Sequence, residues 1–392
     1  MNIKEKVEEY EKYTKDLRRW FHRFPEKSGE EKMTHKKIIT ELSNMNIECK
    51  VVGNYGVIGI LKGNNPGKTI LLRADMDALP IEENKYNLSK KRDIISTVDG
   101  ISHMCGHDCH MAIMLTVAQI FANMKDEIKG TILFCFESGE EDGSGVKDMI
   151  KALENEQIDG VWGIHVMADL PIGKISVNSG VRMSGSSKFN VVIKGKGGHG
   201  SRPDQSIDPI NCTAQILCSL SSIQSRIIDP RDTIVLTVGK LHAGEAINII
   251  PETASFGGTI RFYDYNTEEQ VKEAFYTIVN NIAIANNCKA EIAYDGPKPP
   301  VINNPTLSQM AEKSIEKVIG KEALFHMKPW LASDTIGRYT SKYPGVYAFL
   351  GIKNDKIGTG APHHNSKFDV DESSLTIGIA TTVQFVIDFL DI

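Results

Sequence analysis

Apolar residues recur at three- and four-residue intervals over positions 4–24 and 30–45, the spacing of helices with one buried face. Short apolar runs follow at 57–61 and 69–74, and an almost wholly apolar stretch at 108–124 predicts a buried helix. Residues 131–136 and 161–166 predict strands covered on both faces, because polar positions do not alternate with apolar ones there. Helices alternating with such strands make an α/β layer pattern. Near Val181 the pattern changes. A strand at 188–194, a helix at 209–227, strands at 233–240 and 254–263, a helix at 268–286 and a strand at 289–293 follow the order of a ferredoxin-like module. Pro297, Pro299 and Pro300 punctuate the chain, and helix, strand and helix resume at 306–319, 346–352 and 374–390. The economical expectation is one α/β domain, residues 1–181 and 297–392, interrupted by an α+β domain over 182–296.

Composition narrows the class. The chain has 392 residues, 41% hydrophobic and 24% charged, as expected of a globular protein of two domains. A net charge of −5 supplies no basic field for nucleic acid. The longest apolar stretch, 112–122, is interrupted by Thr116 and Gln119 and falls short of the ~20 residues of a membrane span. Residues 1–12 are rich in Lys and Glu without an apolar run, so no secretory signal is expected. Seven dispersed cysteines, an odd number, predict free thiols in a reducing compartment and hence a cytoplasmic protein.

Metal-capable side chains gather in five segments that follow a strand or precede a helix, where α/β sheets build their sites. They are Arg73-Ala-Asp75-Met-Asp77, then His103-Met-Cys105-Gly-His107-Asp108-Cys109-His110, the pair Glu140-Glu141, His165, and the pair His363-His364. Singly, each has a bland reading: a buried thiol, a satisfied core histidine, a solvated acidic turn. Together they offer a thiolate, imidazoles and carboxylates, a donor set suited to Zn, Mn, Co or Ni. Amide hydrolysis fits this set better than a structural metal site. Two ions can activate a water and polarise a carbonyl, while a neighbouring carboxylate moves the proton.

At these residues the chain resembles the M20 metallopeptidase family, and within it the amidohydrolase branch of hippurate hydrolases, N-acyl-amino-acid deacylases and auxin-conjugate hydrolases. The resemblance runs from Arg18-Arg19-Trp-Phe-His22-Arg-Phe-Pro25-Glu26 through Leu72–Pro80, Cys105–Asp108, Glu140-Glu141 and Gly163-Ile-His165. It continues through Gly197-Gly198-His199-Gly200 and Asn248-Ile-Ile-Pro251-Glu252, and closes with His364-Asn-Ser-Lys-Phe368-Asp-Val-Asp-Glu372. It implies a two-metal, exopeptidase-like catalytic domain with an inserted lid that also forms a homodimer. It further implies Cys105, His107, Glu141, His165 and His364 as metal ligands. His364 is preferred to His363 because the family's ligand lies four residues before the motif's aromatic, here Phe368. By the same resemblance Glu140 is the general base and acid, and Asp77 orients a ligand. His199 stabilises the oxyanion, while Asn248 and Arg261 are candidates for the substrate carboxylate. The implied substrate is an N-acyl amino acid, with a dipeptide as the near alternative.

Three features depart from the branch. Glu137-Ser138-Gly139 stands where relatives usually read Gln-Pro-Ala before the paired glutamates, changing the stiffness and charge of that loop. Ser333-Asp334-Thr335 replaces a common Glu-Asp-Phe, which bears on substrate choice, and Cys109 stands where glycine is frequent. Other classes fit less well. Gly195-Lys-Gly197-Gly-His-Gly200 matches the dinucleotide fingerprint, but Ser219, Leu220 and Ser221 occupy the place of its acidic residue and Pro203 interrupts the helix entry. A cysteine hydrolase built on Cys105 leaves Glu140, Glu141, His165 and His364 unexplained. A catalytically silent scaffold is disfavoured because no expected ligand is absent.

Overall fold

The computed structural model describes residues 2–392, which form two compact units. One comprises the chain up to Arg182 together with Ile302–Lys328 and Asp334–Ile392; the other comprises Met183–Val301 and Pro329–Ser333.

The first unit opens with α1 (Ile3–Glu9), α2 (Glu11–Arg23) and α3 (Lys32–Asn44). A single helix is expected over 4–24, but the helix breaks at Tyr10. Its backbone leaves the helical region, and Val7 and Leu17 still reach the core from either side of the break. Then come β1 (Glu48–Val52), β2 (Gly56–Lys62), β3 (Asn65–Asp75), α4 (His107–Ala122), β4 (Lys129–Glu137), α5 (Val146–Ala152), β5 (Gly160–Pro171), β6 (Ile175–Ser176) and β7 (Gly180–Met183). Later segments add β15 (Gly345–Lys353) and α10 (Ser374–Leu390). The seven-stranded sheet has the order β1-β2-β4-β3-β5-β15-β6. Its central strands β4, β3, β5 and β15 run parallel, while β1, β2 and β6 are antiparallel to their neighbours. Continuous burial along β4, β5 and β15 matches their unbroken apolar sequence. Trp162 of β5 stacks on Phe385 of α10 at 4.4 Å between ring centroids and donates its indole N–H to Thr382 at 3.0 Å, which seats α10 on the sheet.

The second unit contains β8 (Gly185–Lys194), β9 (Gly198–His199), α6 (Pro209–Ser222), β10 (Ile234–Ala243), β11 (Ile249–Ile250), β12 (Thr253–Phe262), α7 (Tyr265–Ala285) and β13 (Lys289–Lys298). Its four-stranded antiparallel sheet, β10-β12-β8-β13, has the ferredoxin-like order. Phe189, Val191 and Ile193 alternate to one face of β8 and meet Ile216 and Leu220 of α6 and Val271, Phe275 and Val279 of α7 in one core. The helix expected over 209–227 ends at Ser222 and loosens into a wider turn over Ile223–Ile227. The remaining elements are β14 (Val301–Asn303), α8 (Pro305–Val318), α9 (Gly337–Thr340), β15 and α10. Among the described residues no helix is long and apolar enough to cross a membrane.

Candidate metal centre

The parallel strands deliver chemistry at their carboxyl ends, as open α/β sheets do. β3 leads into Asp75 and Asp77, β4 into Glu137–Glu141, and β5 carries His165, while α4 begins at His107. Gly106 adopts φ +87°, and a Cβ there would lie 2.3 Å from Val166 Cγ2. Glycine is what lets the Cys105–His107 turn press against β5.

Five of the expected ligands meet in the first unit. Cys105 Sγ lies 3.6 Å from His165 Nε2, and Glu141 Oε1 lies 3.3 Å from His364 Nε2 and 3.9 Å from His107 Nε2. The ligand atoms of Cys105, His107 and His165 all lie within 4.8 Å of one another, as do those of Cys105, Glu141 and His364. The imidazoles are oriented for this. His107 Nδ1 faces the carbonyl oxygen of Asp77 at 2.9 Å, and His165 Nδ1 faces the carbonyl oxygen of Val166 at 2.6 Å. Because those oxygens only accept, each Nδ1 carries a proton and each Nε2 is turned to the cluster. Glu141 Oε1 is shielded from solvent and accepts no hydrogen bond. A shielded carboxylate oxygen, a thiol and converging imidazole nitrogens together fit divalent metal. His364 sits at φ +61°, in the left-handed region, which turns its ring toward Glu141. His363 instead accepts the Ala168 N–H through Nε2 at 3.2 Å and packs on Phe368.

A neighbouring cluster of Asp75, His107 and His110 also has ligand atoms close enough to share an ion. Its atoms are already engaged. His110 Nδ1 faces Asp75 Oδ1 at 2.6 Å, its Nε2 accepts the Val166 N–H at 3.0 Å, and Asp75 Oδ2 takes Arg73 at 2.6 Å.

Glu140 is buried, and its Oε1 accepts the backbone N–H of Thr335 at 3.0 Å. Burial first, then the nearby Asp334 and Glu141 carboxylates, push its carboxyl well above the ordinary range. Asp77 behaves oppositely. Burial opposes its ionisation, but hydrogen bonds and charge from His107, with Ser28 and the Glu141 N–H, carry its pKa below the ordinary value. Its Oδ1 lies 3.2 Å from His107 Nδ1, while Oδ2 accepts Ser28 Oγ–H at 2.6 Å and the Glu141 N–H at 3.0 Å. Beneath these groups lies Arg73, 2% exposed, which contacts Asp75 at 2.6 Å, Glu137 at 3.3 Å and Asp334 at 3.3 Å. Arg73 also donates to Thr335 Oγ1 at 2.8 Å. Thr335 in turn donates to Glu137, Tyr339 donates to Glu137, and Tyr347 donates to Asp334. The supporting roles of Arg73, His110 and Thr335 are not foreseen from sequence, although Arg73 and His110 stand inside quoted motifs. Cys109 is fully buried, and burial pushes its thiol well up, so it is no reactive thiol.

His199, Asn248 and Arg261 belong to the second unit. β9 and β11 pair with His199 opposite Ile249, and the Gly200 N–H donates to the Asn248 carbonyl at 2.9 Å, so His199 and Asn248 are neighbours and both exposed. Arg261, half-buried on β12, donates to Ser333 Oγ at 2.7 Å. The glycine-rich segment around Gly197 leads into β9, and α6 starts only at Pro209, with Asp208 capping its first N–H groups. This is not a phosphate-cradling loop.

A convergent thiol, imidazole and carboxylate cluster, with an up-shifted carboxyl beside it on an α/β sheet, defines a metal-dependent hydrolase of amide bonds. The chain belongs to peptidase family M20/M25/M40, whose model matches residues 71–388, and to its amidohydrolase branch. It is 36% identical to thermostable carboxypeptidase 1 of Saccharolobus solfataricus, over 99% of this chain and 98% of that one. It is 33% identical to N-acetyl-L-cysteine deacetylase of Bacillus subtilis, over 93% of this chain and 85% of that one. Its structure superposes with a TM-score of 0.85 on a dinuclear metal-binding M20 peptidase of Bacillus subtilis, 29% identical, covering 98% and 99% of the two chains.

Proposed function

We propose that the protein hydrolyses N-acyl amino acids of the N-acetyl or N-benzoyl type to a carboxylic acid and a free amino acid. In this reading it uses two divalent ions held by Cys105, His107, Glu141, His165 and His364. The observation that carries the reading is Glu140: buried, raised in pKa, fixed by the Thr335 N–H, and joined in sequence to a carboxylate that faces the imidazoles. When bound, the ions would supply Lewis acidity at the scissile carbonyl and lower the pKa of an attacking water. Glu140 takes the proton from that water and hands it to the leaving nitrogen, a task that a carboxyl tuned upward performs in both directions. Asp77 holds the His107 ring through Nδ1, so that Nε2 would face a bound ion. His199 steadies the developing oxyanion, and Asn248 and Arg261 hold the carboxylate of the amino-acid product side.

Cys105 as a nucleophile is the weaker chemistry. Burial first and then Glu141 push its thiol well up, opposite to the depressed pKa a nucleophilic cysteine needs. A peptide-cleaving variant of the reading is favoured by the relative named as a carboxypeptidase, since bond and machinery are shared. Homodimer formation through the second unit is supported by its open edge strand β10 and by Leu241, Ile247 and Ile249, which stand exposed there.

The test is to strip the protein with chelator, restore Zn, Mn, Co or Ni, and assay N-acetyl and N-benzoyl amino acids beside matched dipeptides. Acyl cleavage that chelation abolishes is the expected result. Cleavage of dipeptides alone would move the protein to the peptidases, and no turnover on either set with metal bound would leave a scaffold.

A further inference from the structure

We infer that Glu31 is a positioning residue for the loop carrying Glu140 and Glu141, an inference that rests on Glu140 as the proton carrier. Glu31 stands immediately before α3, far in sequence from any metal-capable motif, and is fully buried. Its two carboxylate oxygens are both spent on that loop: Oε1 accepts the Gly139 N–H at 2.7 Å, and Oε2 accepts the Ser138 hydroxyl at 2.8 Å. Burying a carboxylate is costly unless its lone pairs are satisfied, so a carboxylate committed here fixes what it holds.

The same turn grips the loop a second time. Ser28 donates to Asp77 Oδ2, the oxygen that also accepts the Glu141 N–H. The turn is itself rigid, because the Glu26 carboxylate accepts the first N–H groups of α3 at Met33 and Thr34 and the Glu26 carbonyl accepts the Ala78 N–H at 2.8 Å. Glu140 therefore lies between two anchored neighbours, Gly139 and Glu141, while Thr335 holds its own carboxylate. Gly139 adopts φ +66°, a conformation whose flexibility a hydrogen bond to its N–H restrains. Both bonds accepted by Glu31 come from Ser138 and Gly139, the two residues that lead into Glu140. The carboxylate thus restrains by hydrogen bonding a stretch that Gly139 would otherwise leave free to move.

The test uses the metal-reconstituted full chain and the N-acyl amino acid turned over fastest in the screen above. Glu31→Gln keeps one oxygen for the Gly139 N–H but loses the charge and obliges the Ser138 hydroxyl to reverse from donor to acceptor. It is expected to lower kcat by about 10-fold, less than the ~10²-fold of a 1 Å misplacement of a reacting group. KM and bound metal should stay within about two-fold of the parent, as for a loss felt in the transition state alone. Ser138→Ala, which removes one of the two bonds without burying new polarity, should show a smaller loss of the same kind. The deciding measurement is a double-mutant cycle with Glu140→Gln. If Glu31 acts through Glu140, Glu31→Gln adds no further loss in the Glu140→Gln background, and Ser138→Ala in the same cycle gives the same answer should Glu31→Gln fail to fold. Multiplicative losses, or loss of metal with loss of rate, would overturn the positioning role. Parental turnover by Glu140→Gln alone would instead overturn the role of Glu140 itself.

Discussion

Replacing Arg73 by methionine removes the guanidinium buried beneath the centre. Its guanidinium is shared by Asp75, Glu137 and Asp334, all buried, and by the Thr335 hydroxyl. Deleting one partner of a buried ion pair costs about 3–5 kcal/mol, because the other charge is left uncompensated. Here three carboxylates lose the same partner, so the upper end, ~5 kcal/mol near neutral pH, is expected. At roughly 2–4 °C per kcal/mol for a unit of this size, the unfolding midpoint of the metal-free protein should fall by about 10–20 °C. The loss should also depend on pH. Burial opposes ionisation of Asp75, yet His107, His110 and Arg73 hold its pKa well below the ordinary value. A carboxyl depressed in this way contributes stability that is present above its unfolded pKa and lost as pH falls through its folded one. The parent therefore loses this contribution only below the ordinary value of 3.8, as pH falls toward the folded pKa, whereas the methionine variant has less of it to lose, and the gap between them narrows below about pH 4. Arg73→Lys should recover part of the loss, since an ammonium keeps the charge but cannot fork across several carboxylates. Thermal unfolding of the three metal-free proteins across pH is the assay. A midpoint for Arg73→Met within about 2 °C of the parent at neutral pH, or a gap that ignores pH, would refute the account.

Two further outcomes are expected. Gly106→Ala forces a Cβ to within 2.3 Å of Val166 Cγ2 at a positive φ, displacing Cys105 and His107. Metal affinity, read by competition with a chromogenic chelator, should drop about 10–100-fold, and an unchanged affinity would show that the turn can yield. Glu140→Gln should stabilise the metal-free protein at neutral and higher pH. Because the folded pKa of Glu140 is raised, its contribution is fully present below the ordinary value of 4.5 and is lost as pH rises toward the folded value. Glutamine does not titrate, so the advantage of the variant should grow by ~1.4 kcal/mol per pH unit across that window. A variant no more stable than the parent at pH about 8 would mean that Glu140 ionises without penalty.

Elements whose fate is decided by burial are readable from sequence. The cores of α4, β4, β5 and β15 are continuous apolar runs and lie where such runs predict. β1, with four of its five residues at least partly exposed, and the seven-residue α5 carry too little pattern to stand out. The break at Tyr10 is also silent, because the apolar spacing continues across it. At the site, donor-rich motifs are legible since their residues are close in sequence. Glu31, Ser28 and Thr335 are not, because each acts through hydrogen bonds to segments far along the chain, and an isolated Glu, Ser or Thr has no periodic signature. Ser333-Asp334-Thr335, expected to bear on the substrate pocket, divides its work differently: Asp334 and Thr335 brace Arg73 and Glu140, while Ser333 meets Arg261.

Strand β15 occupies an interior place in the seven-stranded sheet, between β5 and β6, although the whole second unit separates it from both along the chain. On a ribosome, which presents domains from the amino end, the second unit therefore emerges while the first still has a gap between two of its strands. His364 follows β15, so Cys105, His107, Glu141 and His165 are synthesised well before the imidazole that faces Glu141. Until β15 is in place the donor cluster is partial and β5 has an unpaired edge. The donor cluster is thus completed only when β15 fills its place between β5 and β6.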